Sequence, residues 1–148
     1  MLDFPLNDLL DSQKCYDFLA DLLHPDGFGC PNGHRFDQCH VHARAREPIL
    51  EYRCNECGRC FNLFTSTPLQ GTKHDCVGLV QILRGIAQGV STAQLARELG
   101  VSRPHLLELR HKIQGLAEAA LPRVPLPDDV VEVDEMYQNA GEKRRAAR

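Results

Sequence analysis

Two short clusters of soft ligands, Cys30-Pro31-Asn32-Gly33-His34 and Cys54-Asn55-Glu56-Cys57, constrain this chain more than any other feature of its 148 residues. A spacer of 19 residues separates them. Two close pairs of sulfur or nitrogen donors joined by a loop suit a tetrahedral structural zinc, which is complete with four such ligands. In Cys54-x-x-Cys57 the two-residue gap lets both thiolates reach one ion, and Gly58 lets the turn close. The first half departs from that pattern, because its second donor is His34 at a three-residue gap. The metal set read from the sequence is therefore Cys30, His34, Cys54 and Cys57, with Cys39, His40 and His42 competing with His34 for the fourth place. Buried reduced cysteines with surface histidines would account for Cys15 and Cys76, but not for two spaced pairs. Cys60 reads as a bystander.

Seven cysteines without a regular framework do not suggest paired disulfides, and metal ligation is the expectation for a reducing compartment. No apolar run is long enough to span a bilayer. Residues 1–11 lack the basic start and apolar core of a signal peptide, so a cytoplasmic, nucleoid-associated protein is expected, with no membrane partner.

The net charge of −3 argues weakly against a nucleic-acid partner, but the charge is unevenly placed. Residues 1–29 carry −5, residues 30–74 and 75–127 carry +2 each, and residues 128–148 carry −2. Affinity for phosphate depends on local charge, and the middle of the chain is mildly basic.

Periodicity divides the chain into an N-terminal helix (1–24), a zinc ribbon (25–72), a helical module (75–120) and a final segment (121–148). Residues 12–24 predict an amphipathic helix with Phe18, Leu19, Leu22 and Leu23 as its apolar stripe, stopped at Pro25-Asp26-Gly27. Residues 49–53 and 61–64 predict short strands around the second half-site, and residues 65–72 a loop. Helices are expected over 75–88, 92–99 and about 103–119. Ser91 and Gln94 form a capping box for the second of these, and Ser102 caps the third, with Pro104 in its first turn. Prolines at 122, 125 and 127 stiffen a linker before a strand at 130–133, which has no sheet partners in view.

Residues 91–114 fit a helix-turn-helix. Ala96 is small where two helices would cross, Gly100 supplies a left-handed turn, and Leu106, Leu109, Ile113 and Leu116 make the buried stripe of the last helix. The surface left over carries Ser102, Arg103, His105, Glu108, His111 and Lys112, with Arg110 at its flank. In such a motif the start of the second helix enters the major groove of double-stranded DNA. Arg103 and His111 are then candidates for groove contacts, and Arg110 and Lys112 for phosphates. A plain helical hairpin packed on the ribbon is the simpler alternative.

Taken in order, several pieces resemble the zinc-ribbon transposases of bacterial insertion sequences. They are residues 25–31, residues 52–58 with Phe61, residues 65–67, residues 89–102 and residues 131–137. The resemblance covers most of residues 25–137, and Gly33-His34 departs from it where Cys-Gly is more usual. It implies a fold class that is mainly α with a small β zinc ribbon: an N-terminal helix, the ribbon, a helix-turn-helix three-helix module, then the first strand of a truncated RNase H-like domain. It also implies a role for Asp134, as the acidic residue that ends the first catalytic strand of a DDE enzyme and binds Mg²⁺ or Mn²⁺ in two-metal strand transfer.

The chain continues for only 14 residues after Asp134, so no catalysis is expected of it alone. The reading is the DNA-binding front of a transposase, with zinc as its structural cofactor and the terminal inverted repeats as its partner; self-association is left open. A stand-alone zinc-ribbon and helix-turn-helix regulator is the alternative, and a protein-binding ribbon a third.

Overall fold

The computed structural model describes residues 4–121. Asp11 sits in extended backbone, and its carboxylate accepts from the N–H groups of Gln13 (2.9 Å) and Lys14 (3.1 Å). This cap starts α1 (Ser12–Leu23), whose buried residues are Cys15 and Leu19. Phe18 and Leu23 are partly covered, whereas Leu22, assigned from the sequence to the apolar stripe, is 49% exposed. Cys15, outside the expected stripe, is fully buried. After the helix the His24 ring donates to the Leu63 carbonyl at 2.7 Å, pinning the start of the ribbon to its end.

The segment expected to form a ribbon contains a small three-stranded antiparallel sheet, β1 (Cys39–Arg46), β2 (Ile49–Cys54) and β3 (Cys60–Phe61), in that spatial order. β2 matches the expected strand. β1 is one the sequence did not suggest. The strand expected over 61–64 is corrected: β3 ends at Phe61. The reason is Asn62, whose side-chain oxygen accepts from the Phe64 N–H (3.0 Å), while its own N–H donates to Thr65 Oγ1 (2.9 Å). This local side-chain turn competes with the ladder and ends it. It also turns Leu63 and Phe64 inward, where both are almost fully buried.

Asp75 caps α2 (Cys76–Ala87) by accepting from the Gly78 N–H at 2.7 Å. Ser91 caps α3 (Thr92–Leu99) by accepting from the Gln94 N–H at 3.2 Å. Only half of the expected box forms, because the Gln94 side chain instead donates to Glu98 at 2.7 Å. Gly100 takes the left-handed conformation (φ +64°), and the Val101 N–H reaches back to the Ala96 carbonyl at 3.0 Å. α4 (Arg103–Ala120) follows at once. Ser102 is at the cap position but its side chain makes no capping bond, so Pro104 in the first turn is the stronger start signal.

One apolar core runs through all four helices and the ribbon's far end. It includes Cys15 and Leu19 of α1, Ile49, Leu63, Phe64 and Leu69, a face of α2, Leu95 and Ala96 of α3, and Leu106 and Leu109 of α4. Ile113 packs against it, but Leu116, expected in the buried stripe, is 47% exposed because α4 outruns the helices it lies on. A second, smaller cluster joins Cys30, Cys54 and Phe61 with Phe28, Cys39 and Tyr52. Among the described residues no helix is long and apolar enough to cross a membrane. The expected strand at 130–133 and Asp134 lie outside the described residues.

Candidate metal centre

Two tight turns bring the half-sites together. In the first, the Gly33 N–H donates to the Cys30 carbonyl at 2.9 Å, and Gly33 has φ +85°. In the second, the Gly58 N–H donates to the Cys54 carbonyl at 2.9 Å, with φ +69° at Gly58. Each reversal needs a residue without a Cβ penalty at positive φ. The two turns differ in register: glycine is three residues after the first cysteine of one and four after that of the other. The longer histidine side chain spans the difference.

The donor atoms of Cys30, His34, Cys54 and Cys57 all lie within 4.8 Å of one another, close enough to hold a metal ion. Cys30 Sγ is 3.6 Å from Cys57 Sγ and 3.7 Å from His34 Nδ1, and Cys54 Sγ is 3.5 Å from the same nitrogen. A tetrahedron with zinc-type bond lengths has edges of about 3.8 Å between sulfurs and about 3.6 Å between sulfur and nitrogen. The three separations match those edges, and the remaining donor pairs lie within 4.8 Å, so the set is compatible with a four-coordinate ion.

The surroundings fit as well. Asn32 Nδ2 lies 3.4 Å from Cys57 Sγ, and Arg59 Nη1 donates to Asn32 Oδ1 at 3.1 Å, so a cationic chain leads to the exposed sulfur. The Arg59 backbone N–H, the Asn32 amide and the Cys30 and Cys54 thiols together bring the Cys57 thiol down to about 6. Burial pushes the Cys30 thiol up. Beneath the site, Phe28 packs against Phe36, Tyr52 and Phe61 with ring centroids 5.4 to 5.6 Å apart. Phe28, Tyr52 and Phe61 lie in the pieces that carry the family resemblance, but their packing together, and Phe36, were missed from the sequence.

The competitors for the fourth place go elsewhere. His40 bonds Asn55 Oδ1 at 2.7 Å, and His42 is exposed on β1. Cys39 lies beside the set without belonging to it, its thiol facing the Arg35 carbonyl at 3.6 Å. Burial, and then the charge of Cys54, pushes that thiol up. Cys60 is exposed, outside the group.

The second set of expected residues lies on α4. Ser102, Arg103 and His111 are exposed. His105 is exposed too, and its ring stacks on that of His74 at 5.2 Å. Glu108 and Lys112 pair with each other at 2.8 Å, an exposed bridge of small energetic weight. Arg110 is not the free flank cation expected from sequence: its Nη1 donates to the Val90 carbonyl (2.7 Å) and to Thr92 Oγ1 (3.1 Å), tying α4 to the start of α3. Leu107, which the sequence reading passed over, is 40% exposed. It lies four residues from both Arg103 and His111, so the three share one stripe, and that spacing was the signal that could have found it.

Comparison of the chain with protein-family models, with curated proteins and with solved structures gives no match.

Proposed function

We propose that this chain binds double-stranded DNA, as the front portion of a zinc-ribbon transposase that recognises the ends of its insertion sequence. The observation that carries the reading is the outward stripe of Arg103, Leu107 and His111 on α4, which follows α3 after the left-handed turn at Gly100. A cation, an apolar side chain and an imidazole in a row can read a guanine edge, a thymine methyl and a neighbouring acceptor in the major groove. Ser102 and His105 lie beside the stripe, within reach of the backbone. Lys112 can reach a phosphate only by leaving Glu108, and Arg110 contributes by fixing the angle of α4.

The centre takes Zn²⁺ in this reading. Three thiolates and one imidazole form a closed set with no place for a substrate, so the ion supplies folding energy to the ribbon. The role of Asp134 rests on the family resemblance alone.

The test is fluorescence anisotropy of the zinc-loaded chain on a duplex carrying the inverted repeats that flank its gene, against a scrambled duplex. Preference for the repeats is expected, with affinity falling steeply as salt rises, and with loss of preference in Arg103→Ala. Equal affinity for both duplexes by folded, metal-loaded protein sinks the proposal. Preference for a promoter duplex over the repeats would favour the regulator.

A further inference from the structure

We propose that Cys39 is a reserve donor beside the metal centre, not bound while His34 is present, and that it closes an all-thiolate set with Cys30, Cys54 and Cys57 when the His34 imidazole is removed. The inference rests on the reading of the centre as a zinc site and deepens it.

The sheet register carries the argument. Cys39, the first residue of β1, is paired directly with Cys54, the last of β2. Directly opposed residues of an antiparallel pair point to the same face, with Cβ atoms about 4.5–5.5 Å apart. Cys54 points into the donor set, so Cys39 is aimed at the same side. It is half-buried and packs against the cluster formed by Cys30, Cys54 and Phe61.

Little holds Cys39 in its present position. Its thiol makes a long contact of 3.6 Å to the Arg35 carbonyl, a weak bond for sulfur. A change of χ1 from one staggered well to the next moves a cysteine sulfur by about 3 Å, without backbone movement. His34 is the replaceable member of the set. It is held by a loop turn, whereas Cys54 is anchored by the sheet and Cys30 is buried. A thiolate for an imidazole keeps four coordinates and adds a ligand that zinc and softer ions accept. The nearby histidines are poorer substitutes, because His40 is bonded to Asn55 and His42 is exposed on β1.

The experiment loads the full chain with Co²⁺ and reads bound metal per chain together with the visible and near-ultraviolet spectrum. Sulfur-to-cobalt charge transfer counts thiolates, and the ligand-field bands move to longer wavelength when a thiolate replaces nitrogen. The wild type and Cys39→Ala are expected to give the same three-thiolate spectrum. His34→Ala is expected to keep one metal per chain, with charge-transfer intensity raised by about a third. The double variant His34→Ala/Cys39→Ala is expected to lose at least tenfold in affinity relative to His34→Ala. His34→Cys/Cys39→Ala provides the four-thiolate reference. His34→Gln, which keeps bulk and polarity at the turn, is measured alongside, so that a folding defect in His34→Ala leaves the comparison intact. A three-thiolate spectrum in both His34 variants, or metal loss as severe as in the double variant, overturns the proposal. Absence of any metal from the wild type overturns the zinc reading itself and is distinguishable from either.

Discussion

Gly85 of α2 lies directly against Leu95 of α3, and Gly85→Ala tests whether that contact leaves room for a methyl group. A Cβ built there would sit 2.7 and 3.0 Å from the two methyls of Leu95 and 3.4 Å from its Cγ. Unstrained carbon contacts are about 3.5–4.0 Å. Leu95 is 4% exposed and enclosed by the core, so its methyls have little room to retreat. Two effects oppose each other. Alanine in place of a mid-helix glycine gains about 1 kcal/mol from backbone entropy, and overfilling a packed core costs about 1–3 kcal/mol. Gly115 in α4 isolates the first effect, since a Cβ there meets nothing within 4 Å. Gly115→Ala is therefore expected to stabilise the metal-loaded protein by about 1 kcal/mol, and Gly85→Ala to fall below it by about 1–3 kcal/mol. Urea unfolding of both variants, followed by circular dichroism under one set of conditions, measures the gap. If Gly85→Ala gains as much as Gly115→Ala, to within about 0.5 kcal/mol, the close approach carries no packing cost and the reasoning is wrong.

Three other outcomes are expected. Stripping the metal with a chelator should alter the near-ultraviolet signal of Tyr52, which belongs to the ribbon cluster, while most helical signal persists, because the larger core contains none of the four donors; parallel loss of both signals would show that the two clusters unfold as one. Arg110→Ala should destabilise the fold by about 1–3 kcal/mol by leaving the partly buried Val90 carbonyl short of a donor, and urea titration showing no change would remove its role as a tie. Alkali should weaken the fold. Burial, more than the nearby Cys15 and Asp75 charges, pushes the Cys76 thiol up from 9.0 to about 12, and burial with Tyr52 pushes the Tyr16 phenol up from 10.0 to about 12. Both groups are raised in the folded state, so their contribution is full below their unfolded values and is lost as pH rises through the folded ones. Urea midpoints taken at rising pH should therefore fall from about pH 9 upward, and a flat profile would contradict the assignment.

What the sequence conveyed depended on whether the determining contact was local. Cys54-x-x-Cys57-Gly58 is a turn and a ligand pair within five residues, and it was legible. The α3–α4 corner was legible too, because Ser91, Gly100 and Pro104 act on their own neighbours. β1 was not. Cys39-His40-Val41-His42-Ala43-Arg44-Ala45-Arg46 contains a single β-branched residue and reads as polar. It is a strand because β2, ten residues on, offers it a ladder, with register shifts that absorb the irregular pattern. Arg110 looked like a free surface cation for the same reason: the carbonyl that claims it is 20 residues away. Leu116 followed the helical period correctly, but periodicity cannot say where the neighbouring helices stop. His34 against Cys39, His40 and His42 was a question of reach, and only the two glycine turns decide which donor meets the three sulfurs.

The placement of α1 bears on how portable this architecture is. Cys15 and Leu19 have no exposed surface, and they share the core with Cys76 and Leu79 of α2. A graft that carried only the ribbon and the three later helices onto another protein would bare one side of α2 to water. The transferable piece must therefore begin upstream of the Asp11 cap, and chimaeras joined at residue 25 should be insoluble where those joined near residue 4 are not.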